Sequence, residues 1–334
     1  MPVRVAINGF GRVGRCVLRA LYENGYREQL QVVAINELAD IDTISYMLRY
    51  DSTHGRFAGT VEVVDAGHLR INGDDIALFH EADTRSLNWA AQQIDLVLEC
   101  SGQITSREQA QQHLDAGAKR VLISNPADSA VDNTIIYGLN HLSLTPKQRI
   151  VSNGSCSTNC LLPILAVLDK AFGIEAGVTT TIHSAMNDQP VIDAYHSDLR
   201  RTRAAGQSII PVNTGLHIGV ARLMPHLEGK IESLHLRVPT INVSVLDLSL
   251  QLRTPTDAKT VNALLQQTSQ QQLAGILGIT FEAHASIDFN HDARSGIVDA
   301  TQTRVSDGRL LKLLVWFDNE WGFANRMLDT ARRM

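Results

Sequence analysis

Val3-Arg4-Val5-Ala6-Ile7-Asn8-Gly9-Phe10-Gly11-Arg12-Val13-Gly14 is the stretch on which the fold turns. A short apolar, β-branched run ends in a glycine-spaced turn, after which Val17, Leu18 and Leu21 recur at helical spacing. Strand, glycine turn and helix in that order open a dinucleotide-binding unit. Gly9 permits the tight turn, Gly11 lets backbone approach a pyrophosphate, and Gly14 allows helix to pack closely on strand, with the phosphates at the helix N-terminus. The motif alone is weak, but its required context is present. Gly25 lies near the helix end, Gln31-Val32-Val33-Ala34-Ile35 forms a second strand, and Asn36-Glu37 closes it. Glu37 stands where a carboxylate accepts hydrogen bonds from the adenosine ribose and repels a 2′-phosphate, so NAD is expected rather than NADP. The plainer alternative is a solvated carboxylate at a strand end.

Further strands follow at residues 95–100 and 119–124, with a helix at 107–116 between them. This β-α-β alternation predicts a parallel sheet with its ligand at the strand C-terminal ends, where Ser101-Gly102 and Ser124-Asn125-Pro126 form loops. A chain of 334 residues exceeds the size at which a single core stops growing, so two domains are expected, 1–155 and 156–318. With 19% charged residues, 44% hydrophobic residues and a net charge of -5, the composition is that of a soluble globular protein and favours neither nucleic acid nor an acidic membrane as partner. The four cysteines, at 16, 100, 156 and 160, lack the paired spacing of a disulfide framework and fit a reducing compartment. No neighbouring cluster completes a metal site around Cys156 and Cys160, so no metal is expected. The N-terminus has no signal-peptide pattern, and no apolar run reaches the roughly 18 residues of a membrane span. A cytoplasmic location is expected.

Ile150-Val151-Ser152-Asn153-Gly154-Ser155-Cys156 ends a second β-branched run at the start of another helical pattern, Leu161, Ile164, Leu165, Leu168 and Phe172. Cys156 therefore opens a helix, where unpaired N–H groups and the positive dipole end stabilise a thiolate. A lowered thiol pKa and a nucleophilic role are expected. The alternative is a buried small residue, a common fate of cysteine. Pro163 predicts a kink or an irregular first turn, because its ring opposes the carbonyl of Asn159. Residues 178–183 read as a strand that delivers His183, a natural proton acceptor for a thiol, although a lone histidine there can equally be structural. The long polar segment 184–208 holds Arg200, Arg201 and Arg203, which suit either function or a solvated basic patch or subunit contact. Thr214-Gly215 and Arg237-Val238-Pro239 add donors suited to phosphate oxygens. Strands at 233–239, 242–252, 301–305 and 310–317 and a helix at 256–271 predict an α+β second domain with an antiparallel sheet.

Taken together, Asn8-Gly9-Phe10-Gly11-Arg12-Val13-Gly14, Ser155-Cys156-Ser157-Thr158-Asn159-Cys160, Arg237-Val238-Pro239-Thr240 and Asp318-Asn319-Glu320-Trp321-Gly322 resemble the glyceraldehyde-3-phosphate dehydrogenase family along nearly the whole chain. The resemblance implies NAD as cofactor, a Rossmann-type nucleotide domain rejoined by a C-terminal helix at 319–334, and a homotetramer. It implies Cys156 as nucleophile and His183 as its activator. Arg12, Val13, Glu37, Ser124 and Asn319 would contact NAD, Asn319 through the nicotinamide carboxamide. Ser155, Ser157, Arg201, Thr214, Gly215 and Arg237 would bind substrate or phosphate. His183-Ser184-Ala185-Met186, residues 191–196 and residues 286–292 are most similar to the branch that oxidises D-erythrose 4-phosphate on the route to pyridoxal phosphate. Met186 stands where the glyceraldehyde-phosphate enzymes place a phosphate-binding threonine, and Ser157 replaces a threonine while keeping its hydroxyl. The implied alternatives are phosphorylating oxidation of glyceraldehyde 3-phosphate, oxidation of a semialdehyde, and a nucleotide-binding scaffold without turnover.

Overall fold

The computed structural model describes residues 2–334, which fall into two compact units, one running to Ser155 and including Ala324–Met334, the other spanning Cys156–Phe323. In the first unit Val3–Asn8 is central, and Val5, Ala6 and Ile7 are wholly buried, as expected of a parallel strand covered on both faces. Leu30–Asn36 and Asp74–Phe79 extend the sheet on one side, and Leu96–Glu99, Arg120–Ile123, Ile150–Ser152 and Asn133–Thr134 extend it on the other, all in parallel. Two antiparallel strands, His68–Ile71 and Val61–Asp65, finish one edge and have no counterpart in the sequence reading. Only one side of this ribbon is apolar, Leu69, Ile71 and Ile76 being buried while Glu62 and Asp75 lie at the surface, so no continuous apolar run announces it.

Arg107–Asp115 begins with a capping box, in which the Gln109 N–H donates to the Ser106 hydroxyl and the Ser106 N–H to the Gln109 side chain. The last helix, Trp321–Ala331, starts two residues later than expected. Its Ala324, Met327, Leu328 and Ala331 are buried, and three bonds tie it into the first unit. Asn24 donates to Asn325 at 2.6 Å, the Tyr26 hydroxyl to Asp329 at 3.0 Å, and Thr330 to Asn153 at 2.9 Å.

The second unit carries the expected α+β sheet, mainly antiparallel but with two neighbouring pairs of strands parallel. In order it runs Ile210–Val212, Ile231–Arg237, Ile174–His183, Ser244–Leu252, Leu310–Phe317, Gly296–Asp299, Leu277–Thr280, with Arg304–Ser306 also on Leu310–Phe317. Ile174–His183 and Ile231–Arg237 are parallel, and so are Leu277–Thr280 and Gly296–Asp299. The physical reason lies in the connections, since the chain from His183 to Ile231 is long enough for a crossover and carries the helix Leu216–Leu223. That parallel register makes His183 the direct partner of Arg237 at one end of the sheet. Cys156–Phe172 runs as one continuous helix with Pro163 inside it. Leu161, Leu162, Ile164, Leu165 and Leu168 are fully buried around the proline, and their packing holds the helix across the missing hydrogen bond.

Candidate active site

The glycine turn of the first unit does what each glycine requires. Gly9 has φ +86°, and a Cβ there would lie 2.5 Å from the Ser101 backbone. A Cβ on Gly14 would stand 2.3 Å from the Gly9 carbonyl oxygen, whereas one on Gly11 would meet nothing within 4 Å. The first two close the turn onto its neighbours, and the third leaves open space for a phosphate. Arg12 and Val13 begin the helix Arg12–Glu23 at this point. A cavity of about 310 Å³ lies along the strand ends, lined among others by Gly9, Gly11, Glu37, Ala82, Ser101 and Gln103. One Glu37 oxygen accepts from the Phe10 N–H and the other from the Leu38 N–H, both at 2.7 Å. Each oxygen keeps a lone pair for a ribose hydroxyl. The open backbone at Gly11 and the carboxylate at the cavity wall fit an NAD molecule.

Arg12 pairs with Asp51 and lines a separate open groove of about 720 Å³ with Tyr46, Met47 and Tyr50. Ser124 is outside the lining of the Glu37 cavity, and its N–H donates to the Glu99 carbonyl at 2.9 Å.

In the second unit Cys156 is the first residue of its helix and is half-buried. Its Sγ lies 3.6 Å from His183 Nε2 and 4.0 Å from the Ser157 hydroxyl. His183 Nδ1 lies 2.9 Å from the Ser184 carbonyl oxygen, a contact that is attractive only if Nδ1 carries the proton. Nε2 is then the bare nitrogen, and it faces the thiol. Arg237 Nη1 stands 3.2 Å from Nδ1 and 3.4 Å from the same carbonyl, which it joins as a second donor. His235 stacks on the His183 ring at 5.2 Å and Phe317 meets its edge at 6.3 Å, so the imidazole is fixed in place.

The electrostatics correct one expectation. Burial pushes the Cys156 thiol above its ordinary value, with the Ser157 hydroxyl and N–H and the Arg237 charge opposing it. The expected lowering at the helix start is therefore outweighed. Burial, together with Arg237, lowers His183 to about 4, and burial, His183 and Arg237 lower His235 to about 3. At neutral pH the resting pair is a thiol beside a neutral imidazole, poised for proton transfer when a carbonyl carbon arrives. Cys160, buried and raised well above the usual range by desolvation, is inert by comparison.

Asn319 is oriented by two hydroxyls that sequence reasoning missed. The Ser184 N–H donates to Ser244 Oγ at 3.2 Å, and the Ser244 and Ser184 hydroxyls donate to Asn319 Oδ1 at 2.9 and 3.0 Å. The Asn319 amide donors are thereby turned away from these serines. Nothing in the sequence distinguishes those serines, since hydroxyls are common at strand ends. Gly215 caps the helix Leu216–Leu223, and the Thr214 hydroxyl accepts from the Leu216 N–H at 3.2 Å. A Cβ on Gly219 of that helix would come within 2.9 Å of the Thr158 methyl, which seats the helix against the first turn of the Cys156 helix. Arg201 is held by Asp188 at 2.6 Å, and Met186 is exposed. Ser157 is buried beside Cys156, and Ser155 immediately precedes it.

A dinucleotide fold joined in one chain to a second unit that carries a thiol–imidazole pair has the parts of an NAD-dependent dehydrogenase. The family model described as glyceraldehyde 3-phosphate dehydrogenase, NAD binding domain, matches residues 3–107, and the one for the C-terminal domain matches residues 155–319. The chain belongs to the glyceraldehyde 3-phosphate dehydrogenase family, NAD-dependent oxidoreductases that act on aldehyde sugar phosphates. Among the described residues no helix is long and apolar enough to cross a membrane.

Proposed function

We propose that this enzyme oxidises D-erythrose 4-phosphate to 4-phospho-D-erythronate through a thioester on Cys156, in the route to pyridoxal phosphate. The observation that supports it most is the 3.6 Å approach of Cys156 Sγ to the bare Nε2 of His183. Sγ attacks the aldehyde carbon as its proton passes to Nε2, forming a C–S bond, and Nε2 hands that proton to the carbonyl oxygen to complete the thiohemiacetal and return His183 to its neutral form. His183 then accepts the hydroxyl proton as the carbon becomes a thioester carbonyl, and it releases that proton to solvent before deacylation. NAD, when bound, supplies the acceptor for the hydride that this carbon releases. Water adds to the thioester with its proton going to Nε2, the C–S bond breaks, and the thiol is restored.

Arg201, Arg237, Thr214 and Gly215 are assigned to the substrate phosphate, and Ser155 and Ser157 to the substrate near the thiol. Glu37 and the Gly9, Gly11 and Gly14 turn, with Arg12, Val13 and Ser124, are assigned to NAD, and Asn319 to its carboxamide. Met186 favours the longer substrate. A thioether cannot donate a hydrogen bond, and losing one hydroxyl donor costs roughly 0.5–1.5 kcal/mol, so a phosphate one carbon nearer the aldehyde is held less well. A homotetramer is proposed on the family resemblance. The test is NADH formation with each aldehyde, with and without inorganic phosphate, and identification of the product. Phosphate-independent turnover of erythrose 4-phosphate to the free acid is expected. Strict phosphate dependence, an acyl phosphate product and a higher kcat/KM for glyceraldehyde 3-phosphate would assign the enzyme to that substrate instead.

A further inference from the structure

Beneath the Glu37 cavity lies a polar network that no catalytic step uses. Glu99 ends a central strand and is completely buried, as is His113 on the helix Arg107–Asp115. The Trp89 indole N–H lies 3.0 Å from His113 Nδ1, and because an indole nitrogen can only donate, Nδ1 must accept. His113 therefore carries its proton on Nε2 and donates it to Glu99 at 2.8 Å. The same Glu99 oxygen accepts from the Asn8 amide at 2.6 Å. The other oxygen accepts from the Ser101 N–H at 2.8 Å and from the Ser101 hydroxyl at 2.5 Å.

From this carboxylate two branches reach the cavity. Ser101 stands on one wall. Along the other branch, Asn36 donates to Asn8 Oδ1 at 2.7 Å and clasps the Glu81 backbone in both directions, donating to its carbonyl and accepting from its N–H, each at 2.9 Å. Glu81, Ala82 and Thr84 line the cavity on that side. Four donors converge on Glu99, and the orientation of every group in the chain follows from the one before it.

We propose that Glu99, held by His113, is a positioning residue for NAD, a single buried carboxylate that sets both the Ser101 and the Glu81–Ala82 walls of the nucleotide cavity. It touches no ligand and acts through Ser101, Asn8 and Asn36. The inference uses only the NAD site and holds whichever aldehyde is oxidised.

The test is direct binding of NAD and of ADP-ribose to purified protein, alongside thermal melts without ligand. Charge-assisted hydrogen bonds of this kind are strong enough that His113→Leu and Glu99→Gln should each raise the Kd of both ligands by about tenfold or more. His113→Gln keeps one donor for Glu99 and one acceptor for Trp89, and should return the Kd to within about threefold of the parent. If His113→Leu or Glu99→Gln does not fold, Trp89→Phe decides the matter. It keeps the ring but removes the proton that fixes the His113 tautomer, and a several-fold weaker Kd is expected. A lower melting temperature with both Kd values unchanged in the folded protein overturns the proposal, and so does failure of His113→Gln to bind better than His113→Leu.

Discussion

His113 in the first unit and His183 in the second are both buried strand- or helix-borne imidazoles whose tautomers are fixed by a neighbour, yet their surroundings end differently. Both nitrogens of His113 are committed, one accepting from Trp89 and the other donating to Glu99 at 2.8 Å. His183 commits only Nδ1, to the Ser184 carbonyl, and turns Nε2 toward a sulfur at 3.6 Å. A closed set of hydrogen bonds makes a histidine a fixed strut. One nitrogen left facing a weak donor makes the same side chain a base.

The comparison breaks most sharply at Cys156. Cys156→Ala should take aldehyde oxidation to the assay background while the Kd for NAD stays as it was; a variant that still turns over would remove the thiol from the reaction. His183→Asn should retain a trace, losing on the order of 10²–10⁴-fold in kcat if the imidazole serves as the base. Unchanged turnover there would make His183 a strut like His113.

The protonation of His183 sharpens the contrast further. Its value in the folded protein, about 4, lies below the ordinary 6.5, so between those limits the unfolded chain takes up a proton that the native site refuses. The stability this provides is complete above pH 6.5, declines as pH falls toward 4, and changes no further below. Urea midpoints of the parent and His183→Asn should converge or cross over that window, and parallel curves would contradict the assignment. Because the Cys156 thiol is raised, its alkylation rate in the protein without substrate should still be climbing above pH 9. A plateau near neutrality would mean a resting thiolate.

On the nucleotide side, Glu37→Ala removes two backbone partners as well as the ribose contact. NAD should bind about tenfold more weakly, and the gap to NADP should narrow as repulsion of the 2′-phosphate is relieved. Parent protein that reduces NADP as readily as NAD would refute this role. The smallest effect is expected from Cys160→Ser. Cys160 is buried, so the new hydroxyl costs roughly 1–3 kcal/mol of stability in a urea titration, but kcat should hardly move.

The glycine turn is legible in the sequence because much of its constraint is local: Gly14 meets the Gly9 carbonyl that their spacing brings against it and Gly9 takes the positive φ of a tight turn, whereas the Ser101 backbone that crowds Gly9 comes from a distant strand end. The Cys156 helix is legible for the same reason, through its apolar period. Parallel pairing of His183 with Arg237 is not, since it depends on a crossover whose direction no local pattern states. The raised thiol was hidden as well, because a helix start argues for a lowered value and only the packed surroundings reverse it. Glu99 and His113 read as ordinary polar residues in a strand and a helix. One sign of their network was present, the repeat of Ala-Ile-Asn at 6–8 and 34–36, which the sheet aligns so that Asn8 and Asn36 are register partners.

The return of Ala324–Met334 to the first unit bears on the order in which the chain matures on the ribosome. Domains usually fold as they emerge, the N-terminal one first. Here the second unit is one uninterrupted segment, while the partners of Asn24, Tyr26 and Asn153 are made only after it. Cys156–Phe323 is 168 residues, which at translation rates of 5–20 residues per second delays the closing helix by roughly 8–34 s. For that interval the half made first is the half left unfinished, with the seat for Met327 and Leu328 open to chaperones and to other nascent chains.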